Sequence, residues 1–257
     1  TFVVSDLICR NIVIASALAL CVSMILGGIL IVYSCSKYLK TEDVKVQKGL
    51  MALFRESIVL CIAAFLYFYT TNIPKYAINS FLGDEVQAIY GYISMPVFVV
   101  ALLNSFIYQP QLTAYVLEWR EKKTKPFVAR VFRQLFMILL IILICILGAF
   151  ILGIPVLSVL YNEDLSSYKT DLMLLILGGG FLALGGYMET MLVITNQQNK
   201  GTIGYFITAI VGYVLVNLLV RKFHLIGAVC GYTMTMFLMA LIFCVFMVNT
   251  IRKRGAD

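Results

Sequence analysis

A polytopic bundle of transmembrane α-helices is the fold class this sequence predicts, and three observations predict it. Seven apolar stretches, residues 12–33, 57–82, 86–109, 135–161, 170–195, 203–220 and 225–248, have close to the roughly 20 residues a helix needs to cross a hydrocarbon core. Of 257 residues, 61% are hydrophobic and 13% charged, and the mean hydropathy of +0.96 lies outside the range of soluble domains. The basic residues fall mostly in alternate loops. In lipid the backbone must satisfy its own polar groups, so long apolar stretches read as helices.

The order of elements follows. Residues 1–34 hold a first span, 35–56 a basic connector, 57–250 a six-span bundle and 251–257 a tail. Lys37, Lys40, Lys45, Lys48 and Arg55 lie between the first two spans. Arg120, Lys122, Lys123, Lys125, Arg130 and Arg133 lie between the third and fourth. Lys200 follows the fifth, and Arg252, Lys253 and Arg254 follow the last. The other side receives only Arg10, Lys75, Lys169, Arg221 and Lys222. By the positive-inside rule the C-terminus is cytoplasmic and Thr1 external, as expected of a multi-pass protein of a cell membrane. The net charge of +7 is then a topology signal and an attraction for anionic lipid headgroups, not a nucleic-acid surface.

Seven cysteines (Cys9, Cys21, Cys35, Cys61, Cys145, Cys230 and Cys244) form no Cys-x-x-Cys pair, and His224 is the single histidine. No disulfide framework, metal site or cofactor is expected, and the thiols read as small packing residues. The sequence opens at Thr1, without the charged region of a cleavable signal, which predicts a portion of a longer protein.

Two connections carry apolar residues at helical spacing. In residues 43–56 these are Val46, Leu50, Leu53 and Phe54; in residues 125–135 they are Phe127, Val128, Val131, Phe132 and Leu135. Each is either an interfacial amphipathic helix or an extension of the adjoining span. The other connections, near residues 83–85, 161–169 and 221–224, are short. Gly178, Gly179, Gly180, Gly185 and Gly186 in the fifth span, with Gly227 and Gly231 in the seventh, predict close helix packing or bending points. Pro74 and Pro96 each remove a backbone donor from a span and predict kinks.

A charged side chain at a helix centre costs about 2.5–3.5 kcal/mol on the insertion scale, so each needs a reason. Lys75 lies about 27 Å along the second span from its basic end, in the outer third. It either meets an anionic substrate in a watered cavity or snorkels to the headgroups. Glu189 lies about 9 Å from the basic end of its span, roughly 18 Å in depth from Lys75, too far for a direct ion pair. It either couples a proton or cation to transport or reaches the interface as a structural residue. Asn104 and Asn217 suit interhelical hydrogen bonds better than substrate contacts, although Asn104 is kept as a candidate ligand. Tyr67, Tyr69, Tyr76, Tyr90 and Tyr92 form an aromatic belt or line a sugar-binding cavity. Nucleotide-binding loops and hydrolase triads are absent, and so few buried titratable groups argue against an enzyme.

The run Asn72-Ile73-Pro74-Lys75-Tyr76, then Leu82-Gly83-Asp84-Glu85 and Gly91-Tyr92, resembles a pattern in bacterial polysaccharide flippases. These are the Wzx-like members of the multidrug/oligosaccharidyl-lipid/polysaccharide exporter superfamily. Gln109-Pro110 and Ile226-Gly227-Ala228 are similar to further family turns, so the likeness extends over about 180 residues. Lys75 stands where the family usually has Arg, keeping the charge but losing the fork that binds phosphate bidentately. The resemblance implies two six-helix lobes around a central cavity, this chain supplying the last span of the first lobe and the whole second lobe. It implies translocation of a lipid-linked oligosaccharide by alternating access, with Asn72, Lys75, Tyr76 and Asn104 toward substrate and Glu189 coupling an ion. It also implies an N-terminal lobe of the same protein as partner. The alternatives are a drug/cation antiporter of the same superfamily and, from another class, a seven-helix receptor. The last span has no Lys for a Schiff base and the third ends without an Asp-Arg-Tyr-like triplet, both against the receptor.

Overall fold

The computed structural model describes residues 21–30, 33 and 50–256, and among these it is almost entirely helical, with no strand. Two compact units divide the chain, Thr1–Leu53 and Phe54–Asp257. In the first, a short apolar helix runs over Cys21–Leu30. Half of the expected first span, 12–33, and half of the amphipathic stretch at 43–56 lie outside the described residues.

The helices are α1 (Leu50–Leu82), α2 (Asp84–Tyr108), α3 (Leu112–Arg120), α4 (Thr124–Gly148), α5 (Ile154–Tyr161), α6 (Lys169–Ile194) and α7 (Gln198–Ala256). A 3-10 turn at Gln109–Gln111 links α2 to α3, and a π turn at Ala149–Gly153 links α4 to α5. Five helical segments are long and apolar enough to cross a membrane: Ser57–Leu82, Asp84–Arg120, Thr124–Tyr161, Ser166–Ile194 and Gln198–Arg254. Such a chain is built as a membrane protein.

The longest segment is two helices, not one. At His224 the backbone turns to φ 53°, ψ −132°, and the arms 198–223 and 225–256 fold back on each other. Glycines mark the seam: Gly227 against the Leu219 carbonyl, Gly231 against Val216, Gly212 against Thr235 and Gly204 against Phe243. The expected boundary at residues 221–224 therefore holds, but the turn is tighter than a loop. Other chain reversals also use one left-handed residue each. After Lys122, Asn162 and Asn196 the next amide reaches back five residues, Lys123 to Glu118 (3.0 Å), Glu163 to Ser158 (3.3 Å) and Gln197 to Leu192 (2.8 Å). That bond satisfies a carbonyl the helix end would otherwise leave bare. In the turn after α5, the Ser166 side chain and amide hold the Asp164 carboxyl below its usual range.

Helix α6 lies at the centre. More than half of its most apolar stretch is buried, against less than two fifths in every other span. Its consecutive glycines each admit a different neighbour. A Cβ at Gly178 would lie 2.8 Å from the Tyr232 ring on the second arm of α7. At Gly179 it would lie 2.9 Å from Val97 of α2, and at Gly180 2.5 Å from Ile142 of α4. Close packing, rather than bending, is what these glycines serve. Helices α1 and α2 run on as helices through Pro74 and Pro96.

The stretch at 125–135 is the start of α4, an extension of the span. Its apolar stripe buries Phe127 and Val131, and the Phe127 ring meets Tyr115 (5.9 Å) and Trp119 (5.1 Å) of α3. An apolar stripe that finds a protein surface has no need to lie on the bilayer. Farther along, Leu139, Leu140, Leu143 and Ile144 are exposed, as on a lipid-facing helix.

Two stability outcomes follow from this packing. Gly179→Ala forces a methyl onto α2 and should cost about 1–3 kcal/mol, offset by at most about 1 kcal/mol of helix propensity. Gly148→Ala, with nothing within 4 Å of its Cβ position, should be neutral or slightly stabilising. Thermal unfolding of the detergent-solubilised protein reads the contrast; equal midpoints would refute the packing role. His224→Gly relieves a backbone that costs a non-glycine residue about 1–2 kcal/mol, so its midpoint should rise. A fall would mean the imidazole contributes more than its backbone conformation costs.

Candidate functional site

Helix α1 presents a stripe of residues to two clefts. Leu60, Ala64, Tyr67, Thr71 and Lys75 recur every three or four positions, so they share one face. The stripe extends about 22 Å along the axis.

The upper cleft has a volume of about 280 Å³ and is walled by Tyr67, Phe68, Thr71, Asn72 and Lys75 of α1, with Tyr90, Ser94, Val97 and Phe98 of α2. Leu182 of α6 and Tyr232 of α7 close it. Lys75 is half-buried, and among the described residues its ammonium has no hydrogen-bond or ion-pair partner. The hydroxyls of Thr71 and Ser94 donate to carbonyls of their own helices, as does the Asn72 amide to Phe68 (2.8 Å). Among the described residues the Asn72 side-chain oxygen accepts no hydrogen bond. The composition is one cation, three small polar groups and several aromatic rings. Such a surface has the chemistry to meet an anionic head with Lys75 and flat apolar faces with its rings.

The lower cleft, of about 300 Å³, is walled by Leu60, Ala63, Ala64 and Tyr67 of α1, Tyr108 of α2, Gly186, Glu189 and Thr190 of α6 and Tyr205 of α7. Tyr67 belongs to both clefts, and its ring packs edge-on against Tyr205 at 5.8 Å. Glu189 rests on Gly201, where a Cβ would be 3.7 Å from its Cγ. Among the described residues no hydrogen bond or ion pair engages its carboxylate. An acidic group ringed by three tyrosines can hold a proton or a cation, because the rings turn a negative face to positive charge.

The other expected site residues lie elsewhere. Tyr76 is exposed, stacks on Tyr69 at 6.1 Å, and lines a separate recess of about 80 Å³ with Tyr213 and Asn217. Asn217 donates to Tyr213 within its own helix (2.7 Å). Asn104 is fully buried and lines neither cleft. Its amide donates to the Ala183 carbonyl of α6 (3.0 Å), and its oxygen accepts from Gln134 of α4 (3.1 Å). It thus joins α2, α4 and α6, the interhelical role that suited it better from sequence.

Of the tyrosines that sequence left between an aromatic belt and a cavity lining, Tyr67 and Tyr90 line the upper cleft. Tyr232 and Tyr205 sit far along the chain from the rest and had no sequence signal. Asp171, at the start of α6, is buried with its Oδ1 unpartnered among the described residues, and it faces neither cleft.

Comparison with protein-family models, with curated proteins and with solved structures returned no match.

Asn104→Ala should strand the Ala183 carbonyl and the Gln134 amide, at about 1–3 kcal/mol for each buried group left unpaired. The expected outcome is a lowered unfolding midpoint with ligand binding unchanged per folded molecule. Lost binding at an unaltered midpoint would return Asn104 to the site.

Proposed function

We propose that this chain is part of a membrane flippase that moves an amphiphile with an anionic head, a lipid-linked oligosaccharide, between leaflets. The observation that carries this reading is Lys75, a cation with no partner among the described residues, in an aromatic and polar cleft on the inward stripe of α1. A charge kept away from any partner within apolar helices costs several kcal/mol, which a ligand or water must offset. The diphosphate or acidic sugar of a polyprenyl-linked oligosaccharide has the complementary charge, and rings such as Tyr67, Tyr90 and Tyr232 suit sugar faces.

The likeness of residues 72–92 to polysaccharide flippases supports the same reading and supplies the alternating-access scheme. In that scheme residues 57–250 correspond to the second lobe, with the basic connections cytoplasmic. The open side of the clefts would face a first lobe. Glu189, in the adjoining cleft, would carry the coupling proton or cation.

A drug/cation antiporter is the second reading, favoured by one observation, the carboxylate among Tyr67, Tyr108 and Tyr205. The two separate on which charge meets the transported molecule.

Lys75→Ala in the full-length protein should reduce lipid-linked oligosaccharide flipping in proteoliposomes at least tenfold, with Lys75→Arg retaining most of it. Glu189→Gln should reduce flipping driven by an ion gradient but leave binding of the anionic substrate intact. Full flipping by Lys75→Ala at equal reconstituted amounts would sink the flippase assignment. Loss of organic-cation export by Glu189→Gln alone would favour the antiporter.

A further inference from the structure

A third recess, apart from the two clefts, opens between α1 and the first arm of α7. Tyr69, Ile73, Tyr76, Ala77 and Ser80 of α1, with Tyr213 and Asn217 of α7, wall a volume of about 80 Å³. One turn farther on, the same two helices are joined across its mouth. Arg221, four positions after Asn217, lays its guanidinium 4.6 Å over the ring of Phe81, four positions after Ala77. Both helices run away from the basic connections, so Arg221 lies near the end of its arm. Asn217 is about 6 Å and Tyr213 about 12 Å deeper along the axis.

The polar groups here are mostly donors that lack an acceptor. Among the described residues the phenols of Tyr69, Tyr76 and Tyr213 make no hydrogen bond, and Arg221 has neither a hydrogen bond nor an ion pair. The three phenols lie within electrostatic reach of one another. Ser80 and Asn217 each donate to a carbonyl of their own helix, at Tyr76 (2.9 Å) and Tyr213 (2.7 Å). No carboxylate lines the recess, and Asp84, at the nearby turn, accepts from Asn79.

Toward the basic end the same two faces become apolar. Ile62 lies seven residues before Tyr69, and Phe206 seven before Tyr213, so each shares the side of its helix with the phenol. Both are exposed, as are Phe65 and Ile210 beside them. From Tyr213 to Phe206 the strip measures about 10 Å.

We propose that this recess seats one anionic phospholipid, its phosphate at Arg221, its ester carbonyls at the phenols and its acyl chains over the apolar strip. The depth order of the walls, cation, hydroxyls, then apolar surface, is the depth order of such a lipid. A guanidinium fork suits a phosphate. At roughly 30 Å³ per water, 80 Å³ holds two or three water volumes, enough for a phosphate or glycerol unit and too little for a sugar ring. With no carboxylate to meet a choline or ethanolamine ammonium, a glycerol head is preferred. A soluble phosphate would leave the phenols and the strip unused. The site rests on these helices lying in a bilayer and is independent of what the protein transports.

Quenching by lipids brominated on their acyl chains tests it, in phosphatidylcholine vesicles holding the full chain. Phe206→Trp places a reporter on the strip, and the wild type, whose single tryptophan is Trp119, is the blank. Brominated phosphatidylglycerol should reach half-maximal quenching at a severalfold lower fraction of the lipid than brominated phosphatidylcholine. Tyr76→Phe with Tyr213→Phe leaves every charge in place and should abolish that preference, as should Arg221→Gln. Lys122→Gln with Lys125→Gln, at the basic end, should leave it unchanged. If the paired phenylalanine variant does not fold, Tyr213→Phe alone should reduce the preference about twofold. Four results would each overturn the proposal: equal quenching by the two lipids, a preference that survives loss of the phenols, one that vanishes with Lys122 and Lys125, or relief of quenching by glycerol phosphate.

Discussion

The constraint on which the rest of the Phe54–Asp257 unit depends is the closeness with which α6 is approached by its neighbours. Apolar side chains gain little by leaving lipid for a helix that is equally apolar, so association must come from dispersion contacts and interhelical hydrogen bonds. Gly178, Gly179 and Gly180 supply the first by letting α7, α2 and α4 reach the α6 backbone from three directions. Asn104 and Gln134 supply the second, on the faces that α2 and α4 turn to the same helix. The glycine run and the amide pair therefore act on one set of interfaces, and either alone would leave it incomplete.

Close contact on these faces has a consequence for α1. Its neighbours are held on α6, and the clefts open where α1 fails to seal against them. The upper cleft lies among α1, α2, α6 and the second arm of α7. The lower one lies among α1, α2, α6 and the first arm. Small residues on α1 and α6 (Ala63, Ala64 and Gly186) leave the lower cleft its space. The clefts are thus a product of side-chain size at positions that packing does not need.

Much of this was legible in the sequence, for identifiable reasons. Span boundaries follow from apolar length, which lipid enforces strongly, and the turn at 221–224 was marked by consecutive charges. Lys75 was half legible, because a charge in a span must either meet a partner or reach the interface, and Asn72 was legible only through the resemblance; both line the upper cleft. The fate of residues 125–135 was not. An amphipathic stripe has the same pattern whether it meets lipid or α3, and only the position of Tyr115 and Trp119 decides. The aromatic neighbours of Glu189 in its cleft were equally hidden, since Tyr67, Tyr108 and Tyr205 come from helices whose relative rotation no local pattern specifies. Tyr76 shows the converse, because adjacency to Lys75 in sequence turns it about 100° around the helix and into another recess.

The separation of Lys75 from Glu189 bears on how the proposed transporter would work. Two opposite charges in contact would neutralise each other, and a ligand would then have to break a pair already desolvated. Kept in different clefts, each needs an external partner, and each can be satisfied without the other. Tyr67 is common to both walls, so a rotation of that one ring would alter both clefts at once. A ligand in one cleft influences the other only to the extent that the two Tyr67 orientations differ in how well they accept it. Coupling between an ion at Glu189 and an anionic head at Lys75 would then reside in the rotamer preference of Tyr67, not in attraction between the charges. Phenylalanine at this position would keep such coupling, and alanine would remove it while leaving both charges in place.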